Sequence, residues 1–222
     1  MTTTERAYKK KILTVILSSV LVLTVFIGAT LAYLFMQTDT VTNKLTFVNG
    51  NEDNMLSGEL VEVWDPEDGL DLKPGAVVEK KPHIKNNSSA DVSEWTAMQV
   101  IYEKLDKDGV TATAMTPDEV TYLLNVISIN FDTTNWIKES GVTANANKVR
   151  YYYDSEIAKD GKTTDLFTEV TVLASADNDD LEKVAEFAPG GINIRLEGAV
   201  VQSYELDFDE AQNELNDLLP NN

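Results

Sequence analysis

The sequence predicts a mainly β protein, an antiparallel sandwich with a few short helices. Short segments alternate apolar and polar side chains, the period of a strand with one buried face. Clusters of Gly, Pro, Asn and Asp punctuate them. Two stretches, at Thr116 and Asp207, open instead with a capping residue and an acid three positions on, which marks a helix start. With 222 residues, 43% of them hydrophobic, the chain can bury one core without covalent staples.

The elements follow in order. Asn43–Asn49 alternates, with Leu45 and Phe47 on one face, and Glu59–Trp64 alternates less regularly. Asp65-Pro66-Glu67-Asp68-Gly69 and Pro74-Gly75 are turn chemistry. Ala76–Lys85 is extended, and Pro82 inside it predicts an edge strand or a bulge. Trp95–Leu105 is apolar on both faces, as a central strand should be. Thr116-Pro117-Asp118-Glu119 starts a helix to about Leu124: Thr116 caps, Pro117 fits the first helical position and Glu119 closes the box. Val126–Phe131, Lys148–Tyr153 and Leu166–Leu173 are strands. Asp179-Asp180-Leu181-Glu182 opens a second helix ending near Phe187, before the break at Pro189-Gly190-Gly191. Ile192 to Tyr204 alternates again, and Asp207 caps a last helix, Phe208–Leu219, with Glu210 at the box position.

The N-terminus differs in kind. Arg6, Lys9, Lys10 and Lys11 precede an uncharged run from Ile12 to Met36, a basic flank followed by an apolar stretch long enough to cross a bilayer. Two readings stand. A signal peptide over residues 1–32 would be cut between Ala32 and Tyr33, where Thr30 and Ala32 supply the small residues a signal peptidase accepts. A retained helix would instead anchor a surface-binding module, although no basic stop-transfer cluster follows it. The basic flank stays cytoplasmic in both, so residues 33–222, a single domain, lie outside the cytoplasm.

Composition removes whole classes of function. The 18 Lys and Arg stand against 37 Asp and Glu, a net charge of −19. Loss of residues 1–32 takes away four basic residues and one acid, leaving −22. Such a charge repels phosphate backbones, so no nucleic-acid partner is expected. The absence of cysteine excludes disulfides, thiol nucleophiles and zinc–thiolate sites. One histidine, His83, cannot supply the pair that a zinc-peptidase helix needs.

The junction Gly28-Ala29-Thr30-Leu31-Ala32-Tyr33 with Thr38-Asp39-Thr40-Val41-Thr42-Asn43 resembles the export signal of the TasA and camelysin family. The next block is similar too: Trp64-Asp65-Pro66, Leu72-Lys73-Pro74-Gly75, then Val78, Lys80, Pro82 and Asn86. Lys81 stands where members usually carry Asp. Trp136, Tyr151-Tyr152-Tyr153, Gly161, Thr163, Leu166-Phe167 and Ala199-Val200-Val201-Gln202 resemble later blocks. The resemblance implies a jelly-roll sandwich, cleavage by the dedicated signal peptidase SipW, and a secreted protein at the surface of a Gram-positive bacterium, membrane-attached before cleavage. It also implies polymerisation into biofilm-matrix fibres, an N-terminal strand of one subunit completing its neighbour's sheet, with an accessory matrix protein as a further partner. The camelysin branch carries the label of a cell-surface metalloprotease, which the residue inventory does not support.

Single candidates have modest readings. His83, beside Lys81 and Lys85, reads as a structural or surface histidine. Asp177-Asn178-Asp179-Asp180 lacks the spacing of a calcium loop and reads as a helix start, and Asp65, Glu67 and Asp68 read as a turn. Tyr151-Tyr152-Tyr153 cannot present three rings on one face, so core packing is expected over sugar stacking. No catalytic residue, cofactor or metal is expected. The segment Tyr33–Asn49 is the informative one, because a lone strand must pair with something. It either opens its own sheet or adds to a second copy, head to tail, through Leu45 and Phe47.

Overall fold

A computed structural model describes residues 43–48, 55–65, 69 and 72–221. The predicted signal segment, with Ala32 and Tyr33, lies outside the described residues, as does Pro66. Two antiparallel sheets form the body. The first has the order β1 (Asn43–Val48), β2 (Met55–Trp64), β3 (Val77–Asn86), β9 (Glu169–Val172), β6 (Ile127–Ile129). The second runs β10 (Ile192–Gln202), β4 (Glu94–Leu105), β8 (Lys148–Tyr153), β7 (Trp136–Lys138), with β5 (Ala112–Ala114) also on β4. Three helices complete it: α1 (Pro117–Val126), α2 (Asn178–Phe187) and α3 (Phe208–Leu218).

The sheets face each other across one apolar core. Leu60 and Ile84 of the first sheet meet Met98, Val100, Leu196 and Val200 of the second, all essentially buried. Val120 and Leu123 of α1 close one side of it. Even-numbered residues of β4 line this core, while Ala97 and Gln99 turn to the opposite face, where α3 lies with Ala211 and Leu215. That is why β4 reads apolar on both faces: it lies between β10 and β8, with a layer above and a layer below.

Each helix begins at a complete capping box, Thr116 with Glu119, Asp177 with Asp180, and Asp207 with Glu210. Two orphan backbone donors per helix are thereby satisfied, and the acids sit at the positive end of the helix dipole.

Two expectations are corrected. Pro82 does not mark an edge strand, because β3 is interior, with β2 on one side and β9 on the other. The alternate residues Lys80, Pro82, Ile84 and Asn86 turn their backbones toward residues 161–168, an irregular run that bonds back to them. The missing N–H of Pro82 thus faces a segment free of ladder constraints, where it costs no strand hydrogen bond. Accordingly the strand read at Leu166–Leu173 is only Glu169–Val172, since 166–168 belongs to that irregular run.

Candidate functional site

Two strand edges and a groove between them form the candidate site. β1 pairs antiparallel with β2 and, among the described residues, with no other strand. In register Leu45 sits opposite Gly58, and Phe47 opposite Leu56. Of the predicted assembly segment, residues 43–48 are therefore the first strand of their own sheet, while 33–42 and Asn49 lie outside the described residues.

The second edge belongs to β10, which among the described residues pairs only with β4. A groove of about 530 Å³ runs beside it, floored by Leu56, Val200, Val201, Tyr204, Leu206 and Leu218. Val200 belongs to the inter-sheet core and Val201 to the layer under α3. A hollow that touches both faces of one strand runs along that strand's edge. Tyr204 is 72% exposed and Leu218 40%, so apolar surface reaches solvent there. Glu214 and Asp217 of α3 give the groove an acidic rim.

Glycine sets how closely β2 and β10 approach. A Cβ at Gly58 would lie 2.5 Å from Val200 Cγ1, and one at Gly198 3.1 Å from Ile84 Cδ1. Leu56, two residues before Gly58 on β2, lines the groove with Val200. Sequence reading found the alternation of β10 but not its open edge, because edge status depends on which distant strand fails to arrive.

The family-motif residues cluster at the far end of β2 and β3. Trp64 ends β2 opposite Lys80, whose ammonium lies 5.0 Å from the ring centroid. The same ammonium pairs with Glu62, both largely buried. Asp65 follows at the surface. Pro74 and Gly75 occupy the middle of a type II turn, closed by Ala76 N–H to Lys73 C=O at 2.8 Å, with Gly75 at φ 84°. Gly75 N–H then bonds Val172 C=O at 2.9 Å, tying the turn to β9. The motif is a scaffold for one sandwich end.

The remaining candidates take structural roles. His83 Nδ1 lies 3.1 Å from Asp165 Oδ1. Asp177 and Asp180 cap α2. Tyr151 stacks on Phe131 at 4.7 Å and Tyr152 bonds Asn216 on the opposite face, while Tyr153 packs edge-on to Trp136. Burial pushes the Tyr102 phenol up to about 12, and the Tyr151 phenol upward as well. The three rings thus divide between the two faces of β8, with Tyr151 and Tyr152 buried. Among the described residues no three His, Cys, Asp or Glu side chains gather as metal ligands, and no helix is long and apolar enough to cross a membrane.

A family model described as camelysin metallo-endopeptidase matches residues 7–191. No curated protein and no solved structure matches the chain.

Proposed function

The chain belongs to the camelysin family of cell-surface proteins, and from that premise we propose that it is a structural subunit, not a peptidase, that assembles head to tail into fibres by strand addition. The observation that carries this reading is the edge of β10, unpaired among the described residues, beside an apolar groove. An extended segment laid along that edge gains main-chain hydrogen bonds, and the groove takes its alternate side chains. The donor is the segment preceding β1, residues 33–42, exposed when the signal peptide is removed between Ala32 and Tyr33. Asn43–Val48 already serves its own sheet. A contact from one end of a subunit to a groove on the next does not close on itself, so it propagates.

The family description implies a catalytic metal, and the described residues do not fit one. Zinc hydrolysis uses three protein ligands with imidazole prominent among them. The sole histidine has Nδ1 engaged by Asp165, and among the described residues the pair gains no third His, Cys, Asp or Glu ligand.

The test uses protein beginning at Tyr33, examined by electron microscopy and sedimentation. Fibres are expected from wild type. Deleting 33–42, or introducing Tyr204→Glu with Leu218→Glu at the exposed groove, should give folded monomers. Fibres from all three proteins would refute the reading. Casein cleavage abolished by chelator and restored by zinc would favour the peptidase instead.

A further inference from the structure

Glu94, the first residue of β4, is fully buried, and neither carboxyl oxygen has a hydrogen-bond partner among the described residues. The two-residue period of β4 puts it on the face of Met98, Val100 and Tyr102, toward the core. Its backbone is clamped from both sides. Glu94 N–H donates to Ile157 C=O at 3.0 Å and Ile157 N–H returns a bond at 2.8 Å, while Gln202 is its register partner on β10. The strand start therefore cannot swing out to carry the side chain to water.

Three neighbouring side chains are already engaged elsewhere. Asn86, also fully buried, gives both amide hydrogens away, to Val92 C=O and Ile157 C=O, each at 2.9 Å, and its oxygen accepts from Ser88 N–H. Ser88 Oγ takes Ser57 N–H at 3.0 Å. Thr96 hydroxyl donates to Ala199 C=O at 2.8 Å. A carboxylate here would find the Asn86 amide and the Thr96 hydroxyl committed to other acceptors.

We propose that Glu94 is a neutral-acid lock on this end of the sandwich, closed while the carboxyl carries its proton and opened when the proton leaves. Burial without partners is the geometry that disfavours the anion. It pushes the Glu94 carboxyl up to about 8, and no charged neighbour contributes. The ionisable groups on the adjoining segments are Asp91 before β4, Glu59 on β2, Glu156, Lys159 and Asp160 around Ile157, and Glu205 beyond β10. Because the folded value is raised, the stabilisation is complete below the ordinary carboxylate range and is lost as pH climbs through about 8. Gln202, the register partner of Glu94, lines the groove and also a smaller hollow with Asp91 and Ser93. The lock holds in the single subunit, whether or not fibres form.

Urea unfolding of the chain from Tyr33, at pH 6, 7, 8 and 9, tests this. For wild type the unfolding constant should rise by up to about tenfold per pH unit, flattening above pH 8. Exchange of the Glu94, Ile157 and Ser203 amides should lose protection in the same window. Glu94→Gln and Glu94→Leu should both flatten the profile, and the control His83→Asn, at the single histidine of the sequence, should not. Infrared spectra of wild type at pH 6.5 should show a neutral carboxylic acid band, which decides the matter even if both variants fail to fold. Absence of that band, or a wild-type slope retained in Glu94→Gln, overturns the proposal.

Discussion

Gly58→Ala tests how the two sheets are spaced. The added methyl would stand 2.5 Å from Val200 Cγ1 and 3.1 Å from its Cγ2. Val200 cannot turn away, because it is β-branched and 1% exposed in the core. Overpacking of this kind costs about 1–3 kcal/mol. The gain from a stiffer unfolded chain offsets about 0.4–1 kcal/mol of it. The net loss, of order 1–2 kcal/mol, lowers the melting temperature by about 2–8 °C in a domain of this size. Val200→Ala alone removes two methyl groups, about 1.6 kcal/mol in transfer free energy before any cavity cost. In the double variant the new methyl occupies vacated space, so the losses should fall short of their sum by at least 0.5 kcal/mol, roughly the smallest coupling seen for touching residues. Urea unfolding followed by tryptophan fluorescence, with three tryptophans as reporters, measures all four corners. Strict additivity, or a Gly58→Ala variant as stable as wild type, would refute the close approach of β2 to β10.

Other outcomes follow from named contacts. Arg150 bonds Glu139 and also donates to the Asn216 and Leu219 carbonyls at the end of α3. Arg150→Met should therefore cost about 3–5 kcal/mol, with α3 losing exchange protection first. Burial pushes the Glu139 carboxyl up, but hydrogen bonds from Arg150 and Asn221 outweigh it and hold the group below its ordinary value. Its contribution is thus present above the usual carboxylate range and fades as pH falls below it, and Glu139→Gln should flatten that acid limb of the stability profile. Thr116→Ala removes the α1 cap and should cost about 1 kcal/mol in chemical denaturation. Gly75→Ala meets no atom within 4 Å yet sits at φ 84°, so its loss of about 1–2 kcal/mol, read from the same curves, would be purely conformational.

Local chemistry was legible in the sequence. Two capping boxes, the Pro74-Gly75 turn and the two-faced apolarity of β4 each rest on a few adjacent residues. What was not legible depends on partners distant in the chain. Pro82 signalled an edge because sequence cannot reveal that residues 161–168 would lie irregularly beside it. Trp136–Lys138 is too short to show a period, although Trp136 proved to be fully buried. Leu45 and Phe47 were legible as a strand face, but their pairing with Leu56 and Gly58 required the sheet. Glu94 carried no signal at all, since a lone glutamate ahead of a strand resembles a solvated one.

The ladder between β4 and β10 has a kinetic consequence. The Thr96 hydroxyl and the Ala199 carbonyl it holds are 103 residues apart in the chain. Closing so long a loop carries an entropic cost that no early contact returns, and such topologies fold slowly. Until β10 arrives, β4 lacks one neighbour, α3 has only β4 and β8 to cover, and the inter-sheet core is open on one side. Of the described strands, the one latest in the chain is thus the one on which both apolar layers wait. A chain built this way keeps both layers incomplete until that ladder closes.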